Sequence, residues 1–79
     1  MLRVLVKTDE MDIEENTVSV RYFESRTPRG ARRYSAEIML GPNDTVILDD
    51  DSVTTLEART ARLVPATLYS RLLKRVTAA

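Results

Sequence analysis

Four arginines, Arg26, Arg29, Arg32 and Arg33, fall within eight residues of sequence, Arg-Thr-Pro-Arg-Gly-Ala-Arg-Arg. Planar guanidinium groups suit phosphate oxygens, which they meet with two parallel N–H donors. A second basic set, Arg71, Lys74 and Arg75, lies near the C-terminus. Together these seven residues are the candidate binding residues of the chain. Tyr22, Phe23 and Tyr34 flank the first cluster and supply faces on which a nucleobase stacks. The competing reading is a charged, solvated loop that keeps a strand edge from pairing.

Other chemistries are limited by composition. The chain has no histidine and no cysteine. Imidazole bases, thiolate nucleophiles and ordinary zinc ligand sets are therefore excluded. Glycine occurs only at positions 30 and 41, so no glycine-rich phosphate loop exists. Carboxylates remain. Asp49, Asp50 and Asp51 are able to ligate a hard cation, or to cap a helix start, which needs only local geometry. Glu10, Asp12, Glu14 and Asn16 alternate as in a calcium loop, but Glu15 stands where that loop requires glycine and Arg21 where it requires glutamate. No catalytic residue, metal site, cofactor or small-molecule substrate is expected, and the chain is read as a non-enzyme.

The elements that position the arginines follow from periodicity. Val18, Val20 and Tyr22 alternate with polar neighbours, and so do Tyr34, Ala36, Ile38 and Leu40. Period-two alternation marks half-buried strands. Matching their apolar faces pairs Val18 with Leu40, Val20 with Ile38 and Tyr22 with Ala36, and sets Arg21 opposite Glu37. The hairpin then closes through a five-residue loop, Thr27 to Ala31, with Pro28 fixing φ and Gly30 left-handed. Leu2, Val4 and Val6 form a first strand. Thr8 to Asn16 reads as acidic and turn-like, with Met11 and Ile13 a candidate short strand. Gly41-Pro42-Asn43-Asp44 is a turn, and Val46, Ile47 and Leu48 carry the next strand.

From Ser52 the period becomes 3.6. Val53, Leu56, Leu63 and Val64 share about 100° of helical arc. Ser52 or a neighbouring Asp caps the start, with Thr54 and Glu57 as an alternative capping box. Pro65 lacks an amide hydrogen and is expected to begin a second helix, whose face is Leu68, Tyr69, Leu72, Leu73 and Val76. The expected fold is one α+β domain spanning 1–79. An antiparallel sheet of four to five strands (about 2–7, 17–26, 32–41 and 45–49) precedes two C-terminal helices (about 52–64 and 66–77) packed on one face. The other face is polar.

Two resemblances concern element order. Thr45 to Val76, as strand, helix, turn, helix, is similar to a ribbon-helix-helix repressor, although its strand is apolar and then acidic where those repressors carry basic or polar readers. The long hairpin followed by Val46-Ile47-Leu48 and a helix resembles the single-stranded-DNA-binding transcriptional coactivator domain, without its lysine-rich strands. No residue role carries over from either.

Seventy-nine residues with 12 basic and 12 acidic side chains have zero net charge, unlike dedicated nucleic-acid binders. The charges run in blocks, negative over 1–25 and 41–57, positive over 26–40 and 58–79. No apolar run approaches a membrane span, and the lack of cysteine fits a reducing compartment. The sequence therefore suggests a cytoplasmic interaction or structural module that binds another protein or itself. Leu5, Tyr69 and Leu73 are its candidate apolar anchors. The alternative is a nucleic-acid-binding protein that uses the tip 26–33.

Overall fold

The computed structural model describes the backbone of residues 2–77 and the side chains of residues 2–73. Four strands, β1 (Val4–Ile13), β2 (Asn16–Arg26), β3 (Arg32–Gly41) and β4 (Asp44–Asp50), form an antiparallel meander in the order β1-β2-β3-β4, followed by one helix, α1 (Val53–Thr77). The β2–β3 ladder has the register that face matching demands: Val20 opposite Ile38, Tyr22 opposite Ala36 and Arg21 opposite Glu37. It starts at Ser19–Met39, so the expected Val18–Leu40 pair falls just outside it.

At the β2–β3 tip, the Thr27 amide donates to the Ala31 carbonyl (2.8 Å) and the Gly30 amide to the Thr27 carbonyl (2.8 Å). Gly30 sits at φ 86°. A left-handed residue after a tight turn lets the two strands meet without splaying, and glycine adopts that conformation at no steric cost.

The first strand departs from expectation. It continues past residue 7 to Ile13, because Lys7, Asp9, Met11 and Ile13 all pair with β2. The connection to β2 is only Glu14-Glu15, both left-handed at φ 47° and 70°. Two central residues with positive φ define the mirror-image turn whose twist suits a hairpin. The Asn16 side-chain amide donates to the Glu14 carbonyl at 3.0 Å. Met11 and Ile13 are thus part of β1, and the sheet has four strands.

The two expected helices are one. Among the described residues, Leu56, Thr60, Val64 and Leu68 are the buried helical positions, each four residues from the last. That stripe runs unbroken past Pro65 onto the sheet, and interrupting the helix would lift half of it off the core. Pro65 itself is exposed. The carbonyl its ring leaves without a donor belongs to Ala61, which is also exposed and open to water. Ser52 caps the start, its Oγ accepting from the Thr55 amide at 3.3 Å. Among the described residues Thr60 is the buried polar one, and its hydroxyl donates to the Leu56 carbonyl at 2.8 Å.

The core lies between α1 and one sheet face. Val18, Val20 and Tyr22 of β2 and Ala36 and Ile38 of β3 close against Leu56, Val64 and Leu68. Met11, Ile13, Tyr34, Leu40, Val46 and Leu48 pack round them. Among the described residues, the opposite face has no covering element.

Candidate functional site

The arginine tip projects. Val4 is the β1 partner of Glu24, and Asp50 is the β4 partner of Tyr34, so residues 25–33 of the β2–β3 hairpin extend past both neighbouring strands. Arg26, Arg29, Arg32 and Arg33 are all exposed. Arg32 forms an ion pair with Glu24 at 3.4 Å. Arg26, Arg29 and Arg33 have no carboxylate partner among the described residues.

Arg71 is elsewhere. Its Nε donates to Asp44 Oδ2 at 2.7 Å and its Nη2 to Oδ1 at 3.2 Å. This fork ties α1 to the β3–β4 turn, at the end of the sheet opposite the tip. The length of β3 separates the two ends, about 30 Å of extended chain. Arg71 therefore does not join the tip in one surface. The side chains of Lys74 and Arg75, the other two expected binding residues, lie outside the described residues.

The aspartate run also has a local use. Asp50 Oδ1 accepts from the amides of Asp51 (2.8 Å) and Ser52 (3.3 Å), and Arg59 reaches both Asp50 Oδ2 (3.2 Å) and the Asp49 carbonyl (2.8 Å). These contacts, the bond within the Asp50–Asp51 pair first, hold the Asp50 carboxyl below its ordinary range.

On the uncovered face Arg21 and Arg3 converge on Glu37, at 2.9 and 2.6 Å. The Arg3 guanidinium also lies 4.2 Å above the Phe23 ring, within the range of a cation–π contact. The Arg3 hydrogen bond is the main cause of a lowered Glu37 pKa; it outweighs partial burial, and the charge of Arg21 adds to it. Period-two alternation is enough to pair Arg21 with Glu37. Arg3 is a long-range addition that no local pattern announces.

The feature that sequence reasoning missed is the outer edge of β1. Leu2, Val4, Leu5 and Val6 are 89, 62, 52 and 46% exposed. Val6 stands in a bulge between Leu5 and Lys7. The helix ends its cover nearby, where Lys7 meets Glu57 (3.0 Å) and Asp9 (3.2 Å) and lies 5.2 Å over the Tyr22 ring. The Glu57 hydrogen bond, then the Asp9 one, raise the Lys7 pKa. The other edge strand, β4, carries Asp44, Asp49 and Asp50, the kind of charge that blunts an edge. Of the expected apolar anchors, Leu5 belongs to the β1 patch, while Tyr69 and Leu73 are exposed on α1.

This is an α+β meander with one helix on one face and an edge strand, β1, whose first residues Val4 to Val6 are apolar and exposed. No family model matches the chain, and no curated protein and no solved structure matches it either. Among the described residues no helix is long and apolar enough to cross a membrane.

Proposed function

We propose that this chain is a small non-enzymatic interaction module whose working surface is the outer edge of β1. The exposure of Val4, Leu5 and Val6 on an edge strand, with Leu2 just before it, carries the reading. An edge presents a row of backbone donors and acceptors, and strand addition satisfies them while burying the side chains beside them. The carboxylates argue in the same direction. Glu37 and Asp50 have lowered pKa values and stay ionised at neutral pH, the reverse of what a carboxylic general acid needs. Sedimentation velocity of the full chain over a hundredfold concentration range tests the self-associating form. A rise in sedimentation coefficient with concentration, abolished by Val6→Glu, supports it. A strict monomer at the highest concentration removes it.

A second reading, nucleic-acid binding, is favoured by one observation: Arg26, Arg29 and Arg33 keep their guanidinium groups clear of described carboxylates on a projecting hairpin. Phosphate contacts release counterions, so affinity must rise as salt falls. Titration with single-stranded and duplex DNA and RNA at two salt concentrations is the test. Triple replacement of Arg29, Arg32 and Arg33 by alanine flattens the salt slope if the tip is the contact. Absence of binding at low salt ends this reading.

A further inference from the structure

We propose that the strand added to the β1 edge is β1 of a second copy, running antiparallel and centred on Thr8, so that two four-stranded sheets fuse into one of eight strands. The inference rests on the interaction reading above and names its partner.

The register follows from the hydrogen-bond pattern and the charges. A two-residue turn makes Ile13–Asn16 a hydrogen-bonded pair, and such pairs alternate along an antiparallel ladder. Met11, Asp9 and Lys7 therefore spend their backbone groups on β2. Thr8, Glu10 and Asp12 point theirs outward. Two copies of one strand related by a two-fold axis pair each residue with itself at the centre, and paired side chains share a face. Centring on Lys7, Asp9 or Glu10 sets like charges against each other on the axis. Centring on Leu5 places Arg3 opposite the partner's Lys7 twice. Centring on Thr8 places Lys7 opposite the partner's Asp9 twice, and both lie on the helix-bearing face.

Thr8 also divides the strand by charge. Lys7 precedes it, while Asp9, Glu10 and Asp12 follow it. Antiparallel pairing about Thr8 sets the Lys7 of each strand beside the acidic segment of the other. The exposed Val4, Leu5 and Val6 then run beside the partner's segment 10–12. The same operation on β4 brings Asp44 next to the partner's Asp50, which is repulsive, so the dimer closes at one edge only.

The chain contains no native cysteine, which makes the test clean. At the axis the two Thr8 Cα atoms of a hydrogen-bonded pair stand about 5.5 Å apart, inside the span a disulfide bridges. Thr8→Cys is expected to give a covalent dimer under mild oxidation. Thr45→Cys, exposed on β4, and Leu5→Cys are expected to give none. Thr8→Pro removes only an outward amide and is expected to be a folded monomer by circular dichroism and sedimentation. Lys7→Glu weakens the dimer about tenfold through two reversed pairs, and adding Asp9→Lys restores it.

A Thr8→Cys protein that stays uncrosslinked while the native chain self-associates overturns this register and leaves the interaction reading standing. So does faster crosslinking at Leu5→Cys. Open-ended growth of the native chain, the sign of β1 joining β4 of the next copy, overturns the closed dimer. A strict monomer at every concentration overturns the self-associating reading and this inference together.

Discussion

Arg71 grips Asp44 with both arms of its guanidinium, 27 residues away in sequence, and so fastens the second half of α1 to the β3–β4 turn. Both side chains are about one-third exposed or more, so the pair is screened by water and salt. Arg71→Ala is expected to lower the urea midpoint slightly, with a smaller effect at high salt. The same variant leaves nucleic-acid affinity unchanged if the tip alone makes contact. A loss of affinity equal to that of the tip variants would show one continuous surface.

Glu14 and Glu15 occupy a turn that favours asparagine and glycine. Each L-residue held left-handed costs about 1 kcal/mol. The double variant Glu14→Asn with Glu15→Gly is therefore expected to stabilise the fold by roughly 1–2 kcal/mol, read as a higher urea midpoint with unchanged slope. A neutral or destabilising result would mean that the two residues relax out of the left-handed region.

Pro65 in mid-helix forfeits one hydrogen bond. Because it is exposed, Pro65→Ala leaves the core untouched. An increase of roughly 1–3 kcal/mol in stability is expected, less than the full helix-propensity difference because proline also restricts the unfolded chain. Thermal unfolding followed by far-ultraviolet circular dichroism checks it. A lower Tm would show that the helix depends on the proline for its path across the sheet.

Much of this architecture is legible in the sequence, and the exceptions share a cause. The β2–β3 register can be read because Val20, Tyr22, Ala36 and Ile38 alternate cleanly and Gly30 marks the bend. The β1–β2 turn cannot, since Glu-Glu carries no turn signal and its backbone is forced by the pairing on either side. Pro65 suggests a break because its penalty is local, whereas the Leu56–Thr60–Val64–Leu68 stripe that overrides it is tertiary. Thr60 is recognisable as core only once its hydroxyl is seen to reach the Leu56 carbonyl. At the candidate site, the projecting arginines are readable from spacing alone. The separation of Arg71 from them, and the bareness of Val4 to Val6, depend on where the helix lies and stops, which no window of sequence contains.

Glu37 provides a pH test. Arg3, with Arg21 assisting, holds its pKa below the ordinary 4.5. A depressed carboxyl contributes stability above its unfolded-state value, and that contribution disappears as pH falls through the lower folded-state value. Glu37→Gln is expected to cost roughly 1 kcal/mol or less at pH 7. The difference from the native chain should shrink below about pH 4.5 and vanish once native Glu37 is protonated. Urea unfolding at neutral, mildly acidic and strongly acidic pH reads it. A gap that stays constant would assign the effect to packing against Phe23 rather than to charge.

The neighbour-to-neighbour strand order has a kinetic meaning. Every ladder joins segments adjacent in the chain, and no connection between strands exceeds the five residues 27–31. Loop-closure entropy is therefore small at each step, and low contact order speeds folding. The sheet can zip hairpin by hairpin, while α1 docks only against a surface that all earlier segments have already assembled. Until it docks, Val20, Tyr22 and Ile38 face water, and that interval is when the chain is most vulnerable to capture by a chaperone or by another nascent sheet.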